Sequence, residues 1–184
     1  MTAELPDRRI QLMPEIARTI RILSSAALMS LACSSTVLGQ AAALAPEQDA
    51  ILSVVDGFMT AISTNDFALL SRLRAEGGTN TVERPSPSGG TLVTRRVFTP
   101  DGLKPGEYRE RYWDPVVHVR GKLAVVWTPY EFWQGGKTSH CGIDVFELVK
   151  EEGGWRIANM MWTVEPDACA GLRPSDPGRV RPRP

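Results

Sequence analysis

The order of patterns along this chain predicts an α+β fold, with N-terminal helices packed on one face of a strongly curved antiparallel sheet. Two observations carry it. Apolar residues recur at helical period over residues 51–62, and from Glu107 onward four runs rich in Val, Ile, Thr and aromatics are divided by glycine turns. The chain's 184 residues suit a single core, and 42% hydrophobic with 23% charged residues is a globular composition.

The first 45 residues read as a leader. Arg8, Arg9, Arg18 and Arg21 precede the apolar run from Ile22 to Ala32, and small residues follow through Ala45. That is a charged, then apolar, then small-residue order, with cleavage expected around 39–43. The apolar run is shorter than the ~20 residues a spanning helix needs, so no stable membrane anchor is expected. Export to the periplasm or beyond follows. Removing the leader takes four Arg and three acidic residues from a balanced 21 and 21, leaving 17 and 18, a net of −1. With no basic block, nucleic acid is not an expected partner. Residues 46–169 form the expected domain. Residues 170–184, with four prolines and four arginines after Ala170, are expected to be a disordered tail.

Within the domain, Ile51, Val54, Val55, Phe58, Met59 and Ile62 form one stripe on a helix of about four turns. Asn65-Asp66 offers a stop and then a cap for a second, shorter helix containing Phe67, Leu70 and Leu73. Thr79–Arg84 and Thr91–Phe98 flank a Pro/Ser/Gly loop. The later strands are expected at Tyr108–Val119, Leu123–Trp133, Thr138–Val149 and Trp155–Glu165, with hairpin turns at Arg120-Gly121-Lys122, Gln134-Gly135-Gly136-Lys137 and Glu151-Glu152-Gly153-Gly154. Leu103–Trp113 fits either helix or strand.

Pairing Lys150 with Trp155, and closing Gly135-Gly136 as a two-residue turn, puts Trp127, His140, Asp144, Phe146, Asn159 and Met161 on one face. Those residues, with Phe58 from the first helix, are the expected ligand-binding set. Ile143, Val145, Met160 and Trp162 fall on the other face, too apolar for open solvent and so a candidate dimer face. A one-residue slip would exchange the two faces. His140 and Cys141 are strand neighbours pointing to opposite faces, so no metal site is expected. No glycine-rich phosphate cradle occurs, and no cofactor is expected. Glu110-Arg111 reads as a solvated strand edge. In an oxidising compartment Cys141 and Cys169 are a candidate disulfide, with two separate thiols as the alternative.

The segments Ala124–Trp133, Ser139–Phe146, Gly154–Ile157 and Thr163–Cys169, closed by a Gly-Gly-Trp-Arg-Ile hairpin, resemble the NTF2-like superfamily, in its SnoaL-like and lumazine-binding-like bacterial branches. The resemblance implies a cone-shaped α+β barrel of three helices and a bent sheet around a pocket, often dimeric through the outer sheet face. It also implies a possible acid–base site of isomerase or dehydratase type, with Asp144 as base and His140 or Tyr130 as donor. His140 and Asp144 lie four strand residues apart, ~13 Å, so they could flank a ligand but not bond directly. Three functions follow as expectations: a binder of a small, partly apolar molecule, such an enzyme, or a structural dimer with a filled cone.

Overall fold

The computed structural model describes residues 34–99 and 105–182, with only the helical backbone over 34–44. Helix α1 spans Ser34–Thr64 and helix α2 spans Phe67–Leu73. Ile51, Val55, Phe58 and Met59 of α1 are buried, the face their spacing requires. Asn65, with φ of 56°, ends α1, and its side-chain amide exchanges two hydrogen bonds with the backbone of Gly106. Asp66 then caps α2 by accepting from the Leu69 amide at 2.8 Å. The leader expected over 1–45 lies outside the described residues for 1–33, and α1 runs through the remainder.

Among the described residues eight strands follow: β1 (Arg74–Pro85), β2 (Thr91–Val97), β3 (Tyr108–Trp113), β4 (Val116–Arg120), β5 (Leu123–Gln134), β6 (Lys137–Glu151), β7 (Gly154–Thr163) and β8 (Val180–Arg181). The order across the sheet is β2-β1-β7-β6-β5-β3-β8, with β4 also on β5. The sheet is not wholly antiparallel, because β1 pairs with β7 in parallel. Leu103–Trp113 resolves as strand from Tyr108 on. The long strand expected over Tyr108–Val119 is broken at Asp114 (φ 49°) and Pro115 into β3 and β4, which share β5 as their partner.

Two bulges revise the expected faces. The turns at Gly135-Gly136 and Glu152-Gly153 close as anticipated, with Gln134 opposite Lys137 and Lys150 opposite Trp155. Between Phe132 and Trp133, however, β6 carries one extra residue, so Trp127 faces Val145 and Thr128 faces Asp144. Between Glu147 and Leu148 the extra residue is on β7, so Phe146 faces Met160 and Asp144 faces Trp162. Each bulge turns part of one strand over. Met160 and Trp162, assigned to the outer dimer face, therefore point inward. Trp127 and Met161, assigned to the pocket, lie outward and are 43% and 39% exposed. Asn159 leaves the pocket face too, bonding Thr79 and Glu147. Ile143 and Val145 stay outside, while His140, Asp144 and Phe146 stay inside.

Residues 170–182, within the tail expected to be disordered, fold against the sheet. A short helix α3 (Cys169–Leu172), a 3-10 turn (Pro177–Arg179) and β8 follow one another. Its composition misled because polar ties, not apolar burial, hold it. The Trp113 indole donates to the Leu172 carbonyl at 2.7 Å, Arg179 pairs with Asp114, and Arg181 pairs with Asp56 at 2.5 Å beside the Tyr112 hydroxyl. Arg173 reaches Glu131, whose side chain is fully buried and also takes Arg111 at 2.6 Å and Thr138 at 2.6 Å. Burial opposes that charge, but the Arg173, Thr138 and Arg111 hydrogen bonds prevail and hold Glu131 at about 2. Cys141 and Cys169 are joined as a disulfide with Cα atoms 5.1 Å apart.

The disulfide closes a loop of 28 residues. Replacing both cysteines by serine is expected to lower the unfolding free energy by about 3–4 kcal/mol, from the lost constraint on the unfolded chain. Urea unfolding of the variant against the oxidised protein checks this, and an unchanged midpoint would count against it.

Candidate functional site

Helices α1 and α2 close over the concave face of the sheet without filling it. A cavity of about 480 Å³ remains, walled by Phe58 and Ile62 of α1, Leu70 of α2, Phe98, Phe132, Met160 and Trp162. Its polar groups are Asn80, Arg84, Glu110, Tyr130, Ser139 and His140. Apolar walls with a few converging polar groups are the usual character of a small-molecule site.

Strand alternation and register place these groups. On β3, Tyr108, Glu110 and Tyr112 share one face, while Arg109 and Arg111 take the other and flank the Trp133 ring. Glu110 lies opposite Phe132 on β5, and Phe132 lies opposite His140 on β6, so the three form one row across the sheet. The Phe132 and His140 rings are 5.3 Å apart, and Tyr130 meets His140 edge-on at 5.7 Å. Ser139 Oγ lies 3.0 Å from His140 Nδ1. Burial, and then the positive charge of Arg84, push the imidazole below its ordinary 6.5, so it is neutral at pH 7.

Glu110 is the carboxyl on the cavity wall. It is 8% exposed, and no hydrogen bond or ion pair to its carboxyl occurs among the described residues. Burial raises it to about 8, so it holds its proton at neutral pH. Asp144 is 0% exposed, and neither of its carboxyl oxygens finds a partner. Burial first, and then the neighbouring Glu110, push it well above the ordinary carboxylate range. Two acids thus sit in an apolar wall with no cation between them.

Tyr130 lies on the same wall. Its hydroxyl donates to the Thr163 carbonyl at 2.8 Å, passing over Gly142, where a Cβ would come within 2.1 Å of that same oxygen. Burial, then the charges of Asp144 and Glu110, raise its pKa, so the phenol stays protonated.

Of the residues expected to bind a ligand, Phe58 and His140 line the cavity. Phe146 lies fully buried behind it, edge-on to Phe58 at 5.5 Å, and Asp144 is sealed beneath it. Trp127, Asn159 and Met161 do not reach it. Glu110, Phe132, Met160 and Trp162 were missed. Glu110 is not a solvated edge, and the alternation Tyr108, Glu110, Tyr112 was the pattern that placed it with two aromatics. Among the described residues no three His, Cys, Asp or Glu side chains converge as a metal site, and no helix is long and apolar enough to cross a membrane.

No family model and no curated protein matches the chain. Solved structures do match. An NTF2-like protein with a cystatin-like fold from Novosphingobium aromaticivorans aligns over 75% of this chain and 94% of its own, at 16% identity and a TM-score of 0.53. A Nostoc punctiforme protein of unknown function with a cystatin-like fold aligns over 67% and 94%, at 12% identity and 0.52. A Mycobacterium tuberculosis protein of unknown function aligns over 71% and 80%, at 17% and 0.53. At these identities the likeness is one of fold: the chain has the NTF2-like, cystatin-like α+β architecture.

The raised Glu110 carboxyl makes stability depend on pH. The folded state keeps a proton up to about 8 that the unfolded chain releases near 4.5. Stability is therefore fullest below 4.5, falls as pH rises toward 8 by up to ~1.4 kcal/mol per unit, and levels off above 8. Glu110→Gln is expected to flatten that slope, measured by urea unfolding at pH 6 and pH 8. A slope unchanged by the substitution would contradict the assignment.

Proposed function

We propose that this protein is an exported small-molecule binder that holds a partly apolar ligand in the cavity between its helices and sheet. One observation carries the reading: about 480 Å³ lined mainly by Phe58, Ile62, Leu70, Phe98, Phe132, Met160 and Trp162 stays open, with the unpartnered Glu110 and neutral His140 facing it. A cone packed solid would have argued for a purely structural module. Support for export comes from the leader-like composition of residues 1–45 and from the Cys141–Cys169 disulfide, a bond that persists in oxidising compartments.

The pairing of Glu110 and His140 favours a second reading, an acid–base enzyme of isomerase or dehydratase type. Both lie on one wall, one protonated and one neutral at pH 7, as donor and acceptor of a proton should be. In this reading Glu110 takes the part first given to Asp144, because Asp144 is closed off from any ligand. Tyr130 serves as a positioning group, its hydroxyl committed to Thr163.

A homodimer through the outer sheet face is the assembly we favour. Trp127, Met161, Val125 and Val116 are exposed there, with Ile143 and Val145 between them. A contiguous apolar patch of that kind marks an interaction surface.

Nile red is expected to fluoresce on binding the wild type and to lose most of that signal in Ile62→Trp, which fills the cavity from α1 without touching the sheet. Equal binding by both proteins would move the ligand elsewhere. Trp127→Glu is expected to halve the sedimenting mass of the wild type. A wild type that already sediments as a monomer would refute the dimer.

A further inference from the structure

We propose that the molecule bound in this cavity is an organic cation, an amine on an apolar body, whose ammonium group seats against Glu110 within the aromatic wall. The inference deepens the binding reading and rests on it.

The argument begins with what the cavity lacks. Glu110 opens onto the space from β3 and Asp144 lies sealed behind it on β6; no hydrogen bond or ion pair among the described residues reaches either carboxyl, and both Asp144 oxygens are fully enclosed. A buried carboxyl without a partner is destabilising, and both oxygens of Asp144 are in that state. A ligand offering only a carbonyl or hydroxyl would engage the Glu110 proton and do nothing for Asp144. A positive charge can instead turn Glu110 into its counterion, a pairing strengthened by the poorly solvated wall.

The other groups facing the cavity agree. The nearest arginines do not supply the missing charge. Arg74 gives its Nη2 protons to the Thr79 carbonyl and Asn80 Oδ1 and lies over the Phe98 ring, while Arg84 lines the cavity where its charge bears on His140 and not on Glu110. His140 is neutral, and Tyr130 is protonated and committed to Thr163. Phe58, Tyr130, Phe132 and Trp162 line the space with ring faces and edges, a surface that attracts an alkylammonium group as well as an apolar body.

The proton balance is definite. Below about pH 8 Glu110 carries a proton. An ammonium ion entering as a cation displaces it to solvent and leaves a carboxylate–ammonium pair, while Asp144 keeps its own proton, since one cation offsets one charge. Binding therefore releases one proton below pH 8 and none well above it.

Three matched probes test this: 3-phenylpropylamine, 3-phenylpropan-1-ol and 3-phenylpropanoate, titrated calorimetrically into the full chain. The amine is expected to bind at least tenfold more tightly than the alcohol at pH 8, with the acid weakest. Amine affinity should rise by up to tenfold per unit from pH 6 to pH 8, with about one proton released at pH 7, read from two buffers of different ionisation enthalpy. Glu110→Gln should remove the amine's advantage and its pH dependence while leaving the alcohol within about twofold. The wild-type arms stand alone should that variant misfold. Alcohol or acid binding as tightly as the amine, or amine binding without proton release, overturns the cation and leaves the binding reading standing. No binding by any probe overturns both.

Discussion

A tyrosine hydroxyl buried in an apolar wall must find an acceptor, and Tyr130 finds one on a different strand from either of its own neighbours. Its bond to the Thr163 carbonyl crosses β6 at Gly142, and the Thr163 hydroxyl takes the Ile143 amide at the same point. Only a residue without a side chain allows three strands to approach so closely, since any Cβ there would meet the Thr163 oxygen. The crossing draws the end of β7 toward β5. Phe132, His140 and Trp162 are thereby left around a space rather than on a flat surface.

That geometry explains the electrostatics. Glu110 and Asp144 are on strands separated by β5, and the curvature brings their charges to bear on each other and on Tyr130. Glu131, a residue of the opposite face, has the reverse fate. It is just as buried, but two arginines and a threonine surround it, and it stays ionised. Burial alone therefore decides nothing; the presence of donors does. The contrast marks the unpartnered acids as the unusual ones.

Much of this was legible in the sequence. The stripe from Ile51 to Ile62, the Asn65-Asp66 stop and cap, the hairpin glycines and the cysteine pair are local patterns that obey local rules. The division of the faces was only half legible, because each bulge adds a single residue that no periodicity announces. His140 kept its face with Asp144 and Phe146 because the extra residue on β6 lies before it, whereas Met160 and Trp162 follow the extra residue on β7 and changed sides. Glu110 was misread for a related reason: a charged residue in a strand is taken as exposed until its cross-strand partners are known. The tail was misread because its arginines find carboxylates more than 40 residues away, a distance that composition does not express.

Those arginine pairs bear on how the chain reaches its native state. Glu131 and Asp56 precede the cations that pair with them, Arg173 and Arg181, by 42 and 125 residues. The parallel pairing of β1 with β7 adds the same delay at the other side of the sheet. Local hairpins can thus form on their own, but the finished domain waits on partners far along the chain.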